Sequence, residues 1–513
     1  GNIHGVRSTS TIKFVHKHDV PSNKKITYAN FVCNHRPLEH EHWHVRCVVG
    51  DDLLTYNNDP SSPAANLLDA KILLNSVISD SKHRARFITA DLKDHFLASP
   101  MKTKEYMRIP FKILPQDIID FYNLNSIIHK DSYVYVEIQK GMYGLKQATL
   151  LAYDELCSIL IPASYHPIPS SLSMWKHTSR KTIFSLCVDD FGIKIYNKAD
   201  ADHLLNVLHT RYKITTDWSG CNYCGLTLKW DYKNQHVDVS IPNYIPKLLT
   251  KLKHPAPKRK QFSPHTWTTP TYGQKRQYAK IEKDSPYLDA KETKKIQQIA
   301  GSTLYYSKAL DHSALPALTE IQSSQAKPTT ETQNKIQHLL DYFHSNPNTI
   351  IRYKASKMIL YVDSDAAYLV MPRAKSRITG HYYISDKNGT PNRPLHVNCC
   401  ILPHVTASAA ETETAAMFYN VQLAIFICRV LQSIGHPQPP TTIHADNTTA
   451  IDFANNSMKL NRSKSWDMRY YWLCDKENNK NFNIKSESGK NIKADCYTKH
   501  FPPHYHKLMR KEF

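Results

Sequence analysis

Phe184 to Ile195 reads FSLCVDDFGIKI: an apolar run, two adjacent aspartates, and a second apolar run whose side chains alternate. Alternation of that kind marks strands, so the two aspartates fall at the bend of a hairpin. Like charges held side by side repel unless a cation lies between them. Asp189 and Asp190 are therefore candidate ligands of a divalent metal. Two solvated acids in an ordinary turn would give the same dipeptide, and the choice between these readings rests on what lies upstream.

At Phe87 to Leu97, FITADLKDHFL, a short apolar run ends on Asp91, with Asp94 and the aromatic Phe96 following. At Lys140 to Ala148, KGMYGLKQA, a glycine-flanked loop carrying Lys146 and Gln147 opens a helix. An acid at a strand end, a Gly/Gln loop and an apolar-x-Asp-Asp hairpin, in that order over about a hundred residues, form a far more specific signal than any one part. This order resembles motifs A, B and C of a reverse transcriptase palm, and the YGLKQA wording resembles the copia class of LTR retrotransposons. The resemblance implies that Asp91, Asp189 and Asp190 hold two Mg2+ ions, with Mn2+ as an alternative, at which a primer 3′-hydroxyl attacks an incoming triphosphate. It also implies that Phe96 lies beneath the sugar and excludes a 2′-hydroxyl, that Gln147 holds the nucleotide, and that Gly144 lets the backbone approach it.

The 513 residues suffice for two to four domains. Lys plus Arg number 66 against 45 Asp plus Glu, a formal charge of +21, which favours a polyanionic partner. No apolar run reaches 18 residues and no signal-peptide pattern opens the chain, so the expectation is a soluble protein without a membrane partner. The 11 cysteines follow no regular spacing, as reduced intracellular thiols do. Cys221 and Cys224 form a CxxC without a second pair nearby, and His40, His42 and His44 alternate without an acidic or cysteine partner. Both read as ordinary structure rather than metal sites.

Hydrophobic periodicity then divides the chain. Residues 1–24 read as a flexible leader and 25–240 as fingers and palm, with a hairpin of ITYANFV and HVRCVVG, a helix at AANLLDAKILLNSVIS, and a Pro/Ser-rich loop at Pro162 to Ser171. Residues 241–260 end in LLTKLKHPAPKRK, a thumb-like basic helix suited to a duplex backbone. Residues 261–350 read as a linker and a helical connection, and 351–513 as a separate strand-and-helix domain.

That last domain offers four acidic loci from separate elements: Asp363/Asp365, Glu411/Glu413, Asp446 and Asp495. Such a set suits two divalent ions. It is similar to the ribonuclease H domain of copia-type elements, which reads SDA, a glycine fifteen residues on, EAE, DN and AD-x-x-TK. Gly380 lies fifteen residues after Asp365, so the resemblance selects Asp365 over Asp363, and the alanine three positions on selects Glu413 over Glu411. Asp446 and Asp495 complete the catalytic, metal-holding set that it implies, with one of His500, His504 and His506 beside it.

The implied fold is α+β and α/β: a right-hand fingers-palm-thumb polymerase, a helical connection and a ribonuclease H-like domain. The implied partners are an RNA template, a DNA primer, the RNA–DNA hybrid and deoxynucleoside triphosphates. Dimerisation and capsid-particle association stay open, and the expected location is cytoplasmic virus-like particles whose product passes to the nucleus. Without integrase or protease signatures, the chain reads as the C-terminal part of a polyprotein, or a fragment. Three departures from the family stand out. YANFV places Asn30 where relatives carry an arginine for the triphosphate, with Arg36, Arg46 or Lys24 as replacements; Cys187 stands where a tyrosine is common; and Thr149 and Leu150 follow the Gly/Gln loop. They keep a second reading open, a relic that binds nucleic acid without polymerising.

Overall fold

The computed structural model describes residues 10–35, 42–267, 285–387, 389–454, 464–489 and 491–511. Residues 268–284 of the expected linker, together with Arg36 and His40, lie outside the described residues. Contacts divide the chain into two units, one made of Gly1–Ala65, Ile88–Pro167 and Leu172–Ser219, the other of Asn66–Phe87, Ile168–Ser171 and Gly220–Phe513.

The first unit is built on two sheets. One has the order β1-β6-β5-β2-β3, from β1 (Ile12–Val15), β2 (Ile26–His35), β3 (Trp43–Val49), β5 (Pro100–Pro110) and β6 (Tyr133–Lys140). The expected hairpin is β2 against β3, antiparallel from Ala29↔Val49 to His35↔Trp43. Strand β1 corrects the reading of residues 1–24 as a flexible leader: Ile12 pairs with Ile138, and Ile12 and Phe14 pack on the core formed by Met107, Val134, Val136 and Ile138. A four-residue strand is too short for its alternation to stand out in sequence.

The other sheet has the order β11-β4-β10-β9-β8-β7, from β4 (Arg86–Lys93), β7 (Tyr165–Ile168), β8 (Ser171–His177), β9 (Ile183–Cys187), β10 (Asp190–Ile195) and β11 (Lys213–Asp217). Strands β7 and β8 fall partly in the Pro/Ser-rich stretch read as a loop. Pro167 is tolerated there because β7 is an edge strand, whose outward N–H positions need no ladder partner. Leu156 and Leu160 of α2 (Ala148–Leu160) and Leu204 and Leu208 of α3 (Lys198–His209) join Phe184, Phe191 and Trp175 in the core under this sheet.

The second unit begins with α1 (Leu67–Ser79), started by Asn66, whose side chain accepts from the N–H groups of Leu68 and Asp69. Every residue from Leu68 to Ile78 is buried, against β14 (His236–Ser240), β15 (Ile351–Lys354) and β18 (Pro394–Ile401). Lys71 is buried with them, donating to the carbonyl of Lys308 at 3.1 Å, and burial pushes its ammonium down to about 7. Strands β12 (Asn222–Tyr223) and β13 (Leu226–Asp231) extend β14 and β15 into a four-stranded sheet. Only the first half of the stretch expected as a basic helix is helical, α4 (Tyr244–Leu252); the strongly basic Lys253–Lys260 lies outside it, because Pro255 and Pro257 cannot continue a helix. The connection consists of α5 (Ala290–Ala309), α6 (Leu315–Ser324) and α7 (Thr330–Ser345).

The C-terminal sheet has the order β18-β17-β16-β19-β20, with β16 (Ile359–Met371), β17 (Lys375–Ser385), β19 (Thr441–Ala445) and β20 (Phe482–Ser486). Strands β16, β17 and β18 are antiparallel, whereas β19 and β20 run parallel to β16. Helix α8 (Ala409–Ser433) packs on β16 and β17. It is long and apolar enough to cross a membrane by composition, but more than half of its apolar stretch is buried in this packing. A Cβ at Gly380 would collide with the Asn420 side chain, so the glycine admits that amide, which donates to Ser364 Oγ at 2.9 Å and to the Thr379 carbonyl at 2.7 Å.

The last helix, α9 (Pro503–Met509), ends at an anchor. The Arg510 guanidinium donates to Asp311 (3.1 Å), Asn346 (3.0 Å) and Thr349 (2.7 Å), and Tyr342 donates its hydroxyl to Asp311 at 3.0 Å. Burial alone would raise the Asp311 carboxyl, but Arg510, Ser313, His506 and Tyr342 together outweigh it and hold the group below the usual range. Removing one partner of a buried pair strands the other. Arg510→Ala is expected to destabilise the second unit by about 3–5 kcal/mol, read as a shift in the urea midpoint. A midpoint equal to the parent's would show that the tail is not anchored there.

Candidate active sites

The first site assembles at one end of the six-stranded sheet. Register Asp190↔Cys187 leaves Val188 and Asp189 as a two-residue turn between β9 and β10. Val188 takes φ +62°, a strained conformation for a β-branched residue and one that recurs where the surroundings fix a functional group. Because β4 borders β10, Asp91 arrives beside this turn, and the N–H of Leu92 donates to the Asp189 carbonyl at 3.1 Å. Burial, then the neighbouring charges of Asp189 and Asp91, push the Asp190 carboxyl up to about 6. Asp91 is raised by burial and by Asp189. Asp189 is raised by burial, with its own backbone N–H and the charge of Arg46 acting in the opposite direction. The three acids are neighbours, but among the described residues only the second site brings three carboxylate oxygens within 4.8 Å of one another.

Of the cations left open in the sequence, the structure puts Arg46 in this site. Lys24 pairs with Glu105 at 3.4 Å instead. Asn30 sits on β2 opposite Val48, whereas Arg46 on β3 lies 4.9 Å over the ring of Tyr143. Tyr143 belongs to the Gly/Gln loop. Its ring meets Phe96 edge-on at 5.2 Å, and its hydroxyl is raised by burial and by Asp189, Asp94 and Asp91. The half-buried Phe96 thus stands in one cluster with Tyr143, Arg46 and the acids. Gly144 meets β3 of the chain itself. It has φ +92°, a Cβ there would strike the Val49 carbonyl oxygen, and the Val49 N–H donates to the Tyr143 carbonyl at 2.8 Å. The glycine therefore docks the loop on β3. Gln147 is buried at the start of α2, and Lys146 donates to the Leu54 carbonyl at 3.0 Å.

The second site lies on the C-terminal sheet. Asp365 from β16, Glu413 from the first turns of α8 and Asp446 just after β19 each present an oxygen within 4.8 Å of the others. Burial and mutual repulsion raise the carboxyls of Asp365 and Glu413. Asp495 stands beside them, ion-paired with Lys499, and Thr498 donates its hydroxyl to Asp365. The TK of the AD-x-x-TK wording thereby acquires a physical reason: one residue orients an acid and the other balances a second.

The acids not selected from the sequence are engaged elsewhere. Asp363 faces His381 at 3.1 Å and His444 at 3.0 Å and accepts the Lys493 N–H at 3.1 Å. Burial pushes its carboxyl up, but the two histidines prevail and it falls below the usual range. Partly buried Glu411 accepts the Ala407 N–H at 2.6 Å near the start of α8. Of the three tail histidines, His504 lines a cleft of about 550 Å3 with Asp495 and Lys499. His500 stacks on His265 at 3.9 Å, and His506 packs edge-on against Tyr342 at 5.7 Å.

A divalent cation fits the second site. Glu413 Oε2 is buried without a hydrogen-bond partner, and it belongs to a group of like charges that a cation would reconcile. The hard oxygen donors suit Mg2+ or Mn2+ over softer metals.

No protein-family model matches the chain. It is 23% identical over 387 residues to the retrovirus-related Pol polyprotein from transposon TNT 1-94 of Nicotiana tabacum, an alignment covering 73% of this chain and 28% of that polyprotein. The chain therefore spans little more than a quarter of the length of this curated relative. Among solved structures, it is similar to the foamy viral protease-reverse transcriptase in complex with RNA/DNA hybrid, with a TM-score of 0.48, 12% identity, and coverage of 95% of this chain and 52% of that one. It is also similar to LC11-RNase H1, isolated from compost by a metagenomic approach, with a TM-score of 0.21, 13% identity, and coverage of 26% of this chain and 89% of that one. The chain is a mixed helix-and-sheet protein.

Proposed function

We propose that this chain is the reverse transcriptase and ribonuclease H region of a copia-type Pol polyprotein, an RNA-directed DNA polymerase that also degrades the RNA of an RNA–DNA hybrid. One observation carries the reading: a single chain sets Asp91 beside the Asp189–Asp190 turn in one unit and gathers Asp365, Glu413 and Asp446 in the other. Its similarity to a transposon Pol polyprotein supports the same conclusion.

Bound Mg2+ would supply Lewis-acid activation of an oxygen nucleophile and charge neutralisation at the phosphate, at both centres. The residues of the chain do the rest. Asp91, Asp189 and Asp190 would hold the cations of the first centre, and Asp365, Glu413, Asp446 and Asp495 those of the second. Arg46 offers the fixed guanidinium that a triphosphate requires, in a fork that matches phosphate oxygens. Phe96, braced by Tyr143, is placed to sense the sugar, and Gln147 to hold the nucleotide. Lys499 balances Asp495, and Thr498 keeps Asp365 oriented.

In this reading residues 25–240 contribute fingers and palm, 241–260 the thumb-like helix, 261–350 the connection and 351–513 the ribonuclease H-like domain. The partners are template RNA, primer DNA, their hybrid and deoxynucleoside triphosphates, and the setting is a cytoplasmic virus-like particle. Arg46 answers one of the two departures that favour a decayed relic, the missing arginine at Asn30; the other, Thr149 and Leu150 after the Gly/Gln loop, stands.

The test is extension of a DNA primer on an RNA template with Mg2+, beside cleavage of a labelled hybrid. Both activities are expected from the parent. Tight duplex binding without extension would sink the polymerase reading in favour of the relic. Arg46→Ala is expected to lower kcat/KM for the nucleotide by about 10–100-fold, the worth of a charge-assisted phosphate contact of about 1.5–3 kcal/mol. Single-nucleotide incorporation kinetics measure this, and an unchanged kcat/KM would remove Arg46 from the triphosphate.

A further inference from the structure

A cleft of about 700 Å3 opens in the second unit, between the corner joining α6 to α7 and the tip of the β16–β17 hairpin. No acid of either proposed active site lines it. Its charged lining is Lys327, Lys335, Arg373 and Lys375 against one acid, Glu331. Lys335 already spans Glu331 and Glu320, each at 3.0 Å, so the remaining balance is positive.

The hairpin tip is held in an unusual conformation. Arg373 and Ala374 have φ +59° and +55°, and the Lys375 N–H donates to the Pro372 carbonyl at 3.4 Å. Two successive left-handed residues make a turn that ordinarily calls for Asn and Gly. An arginine kept in such a position at the mouth of a cleft is strain placed where a side chain is needed. Tyr287 adds an aromatic ring that is 74% exposed, and serine and threonine hydroxyls complete the lining.

Cations for phosphates, hydroxyls for sugars and an open ring for a base form the chemistry of a single-stranded polynucleotide. The volume takes a short single-stranded segment and has no room for a base-paired turn. The wall of the cleft is also continuous with the second active site. Strand β16 runs from Asp365 to Met371, which lines the cleft, a path of roughly 20 Å at strand rise. We propose that this cleft binds the single-stranded segment adjoining an RNA–DNA hybrid engaged at Asp365, Glu413 and Asp446. The inference rests on the ribonuclease H reading above.

The test uses the full chain with Ca2+, to hold hybrids uncleaved, and fluorescence anisotropy of blunt hybrids beside hybrids carrying a short RNA or DNA tail. A tail is expected to tighten binding by about tenfold, within the range of one stacked base with its phosphates. Arg373→Gly and Lys327→Gln should each remove most of that gain and leave blunt-hybrid affinity unchanged, and Tyr287→Ala should reduce it similarly. Ala374→Gly relieves the same backbone strain while keeping the cation, so it should retain the gain. A gain with RNA tails, DNA tails or both supports the cleft and identifies the strand it takes. Parent protein that binds blunt hybrid but gains nothing from a tail, or an Arg373→Gly variant that keeps the gain, overturns the cleft alone. A parent that binds no hybrid overturns the ribonuclease H reading and this proposal with it.

Discussion

Asp190→Asn lowers primer extension by at least about a thousandfold, some 4 kcal/mol of lost transition-state stabilisation, and leaves hybrid cleavage within about twofold of the parent. The amide keeps the shape of the side chain and removes the charge. Asp190 stands beside Asp189 and Asp91 in a half-buried corner that raises its carboxyl to about 6, so its ionised form is costly unless a cation is present. Removing that charge relieves repulsion in the metal-free protein, and the melting midpoint should therefore not fall. Loss of extension with an unchanged midpoint separates lost chemistry from lost fold. Residual extension above about a tenth of the parent's rate would exclude Asp190 from the metal-holding set.

A pH dependence follows from the same corner. Protons compete with the cation for Asp190, so extension at limiting Mg2+ declines as pH falls through about 6 and recovers when Mg2+ is raised at constant pH. Stability without metal runs the other way. Because the folded value lies above the ordinary carboxylate range, the contribution of this group is fully present below that range and is lost as pH rises through about 6. A metal-free melting midpoint that rises across this window would contradict the assignment.

Asp446→Asn lowers hybrid cleavage by at least about a hundredfold, roughly 2.7 kcal/mol, while primer extension survives. Asp446 is the exposed member of its group, with Asp365 and Glu413 buried beneath it, so the substitution costs the core little. Asp363 does not replace it, because both its oxygens face histidines. Product analysis on a labelled hybrid reads the outcome, and unchanged cleavage would detach Asp446 from the second centre. Together with Asp190→Asn, this variant makes a pair of opposite single losses, the signature of two independent sites in one chain.

Much of both sites was legible before any fold was known, because strand alternation that stops at a carboxylate is a local pattern. Asp91, the Asp189–Asp190 corner and Asp446 lie at or beside strand ends, whereas Asp365 stands midway along β16. Choosing between Asp363 and Asp365 required the resemblance, and the physical reason became visible only in the fold. Asp363 points at His381 and His444, residues 18 and 81 positions away in sequence. Arg46 was one of three open cations until the pairing of β2 with β3 set Asn30 opposite Val48 and left Arg46 over Tyr143. Helix α1 is plain in the sequence, but its membership in the second unit is not. Its apolar residues run almost all round, and such a helix announces burial without naming what buries it.

The sequence by itself determined the order of the acids, the elements that carry them and the basic balance of the surface, since these depend on side-chain type and on periods of two and 3.6 residues. Tertiary structure alone decided which acids face one another, which cation reaches them and where the strained Arg373 turn opens a cleft. Those are contacts between residues far apart in the chain, set by strand register and helix docking, and local periodicity carries no record of them.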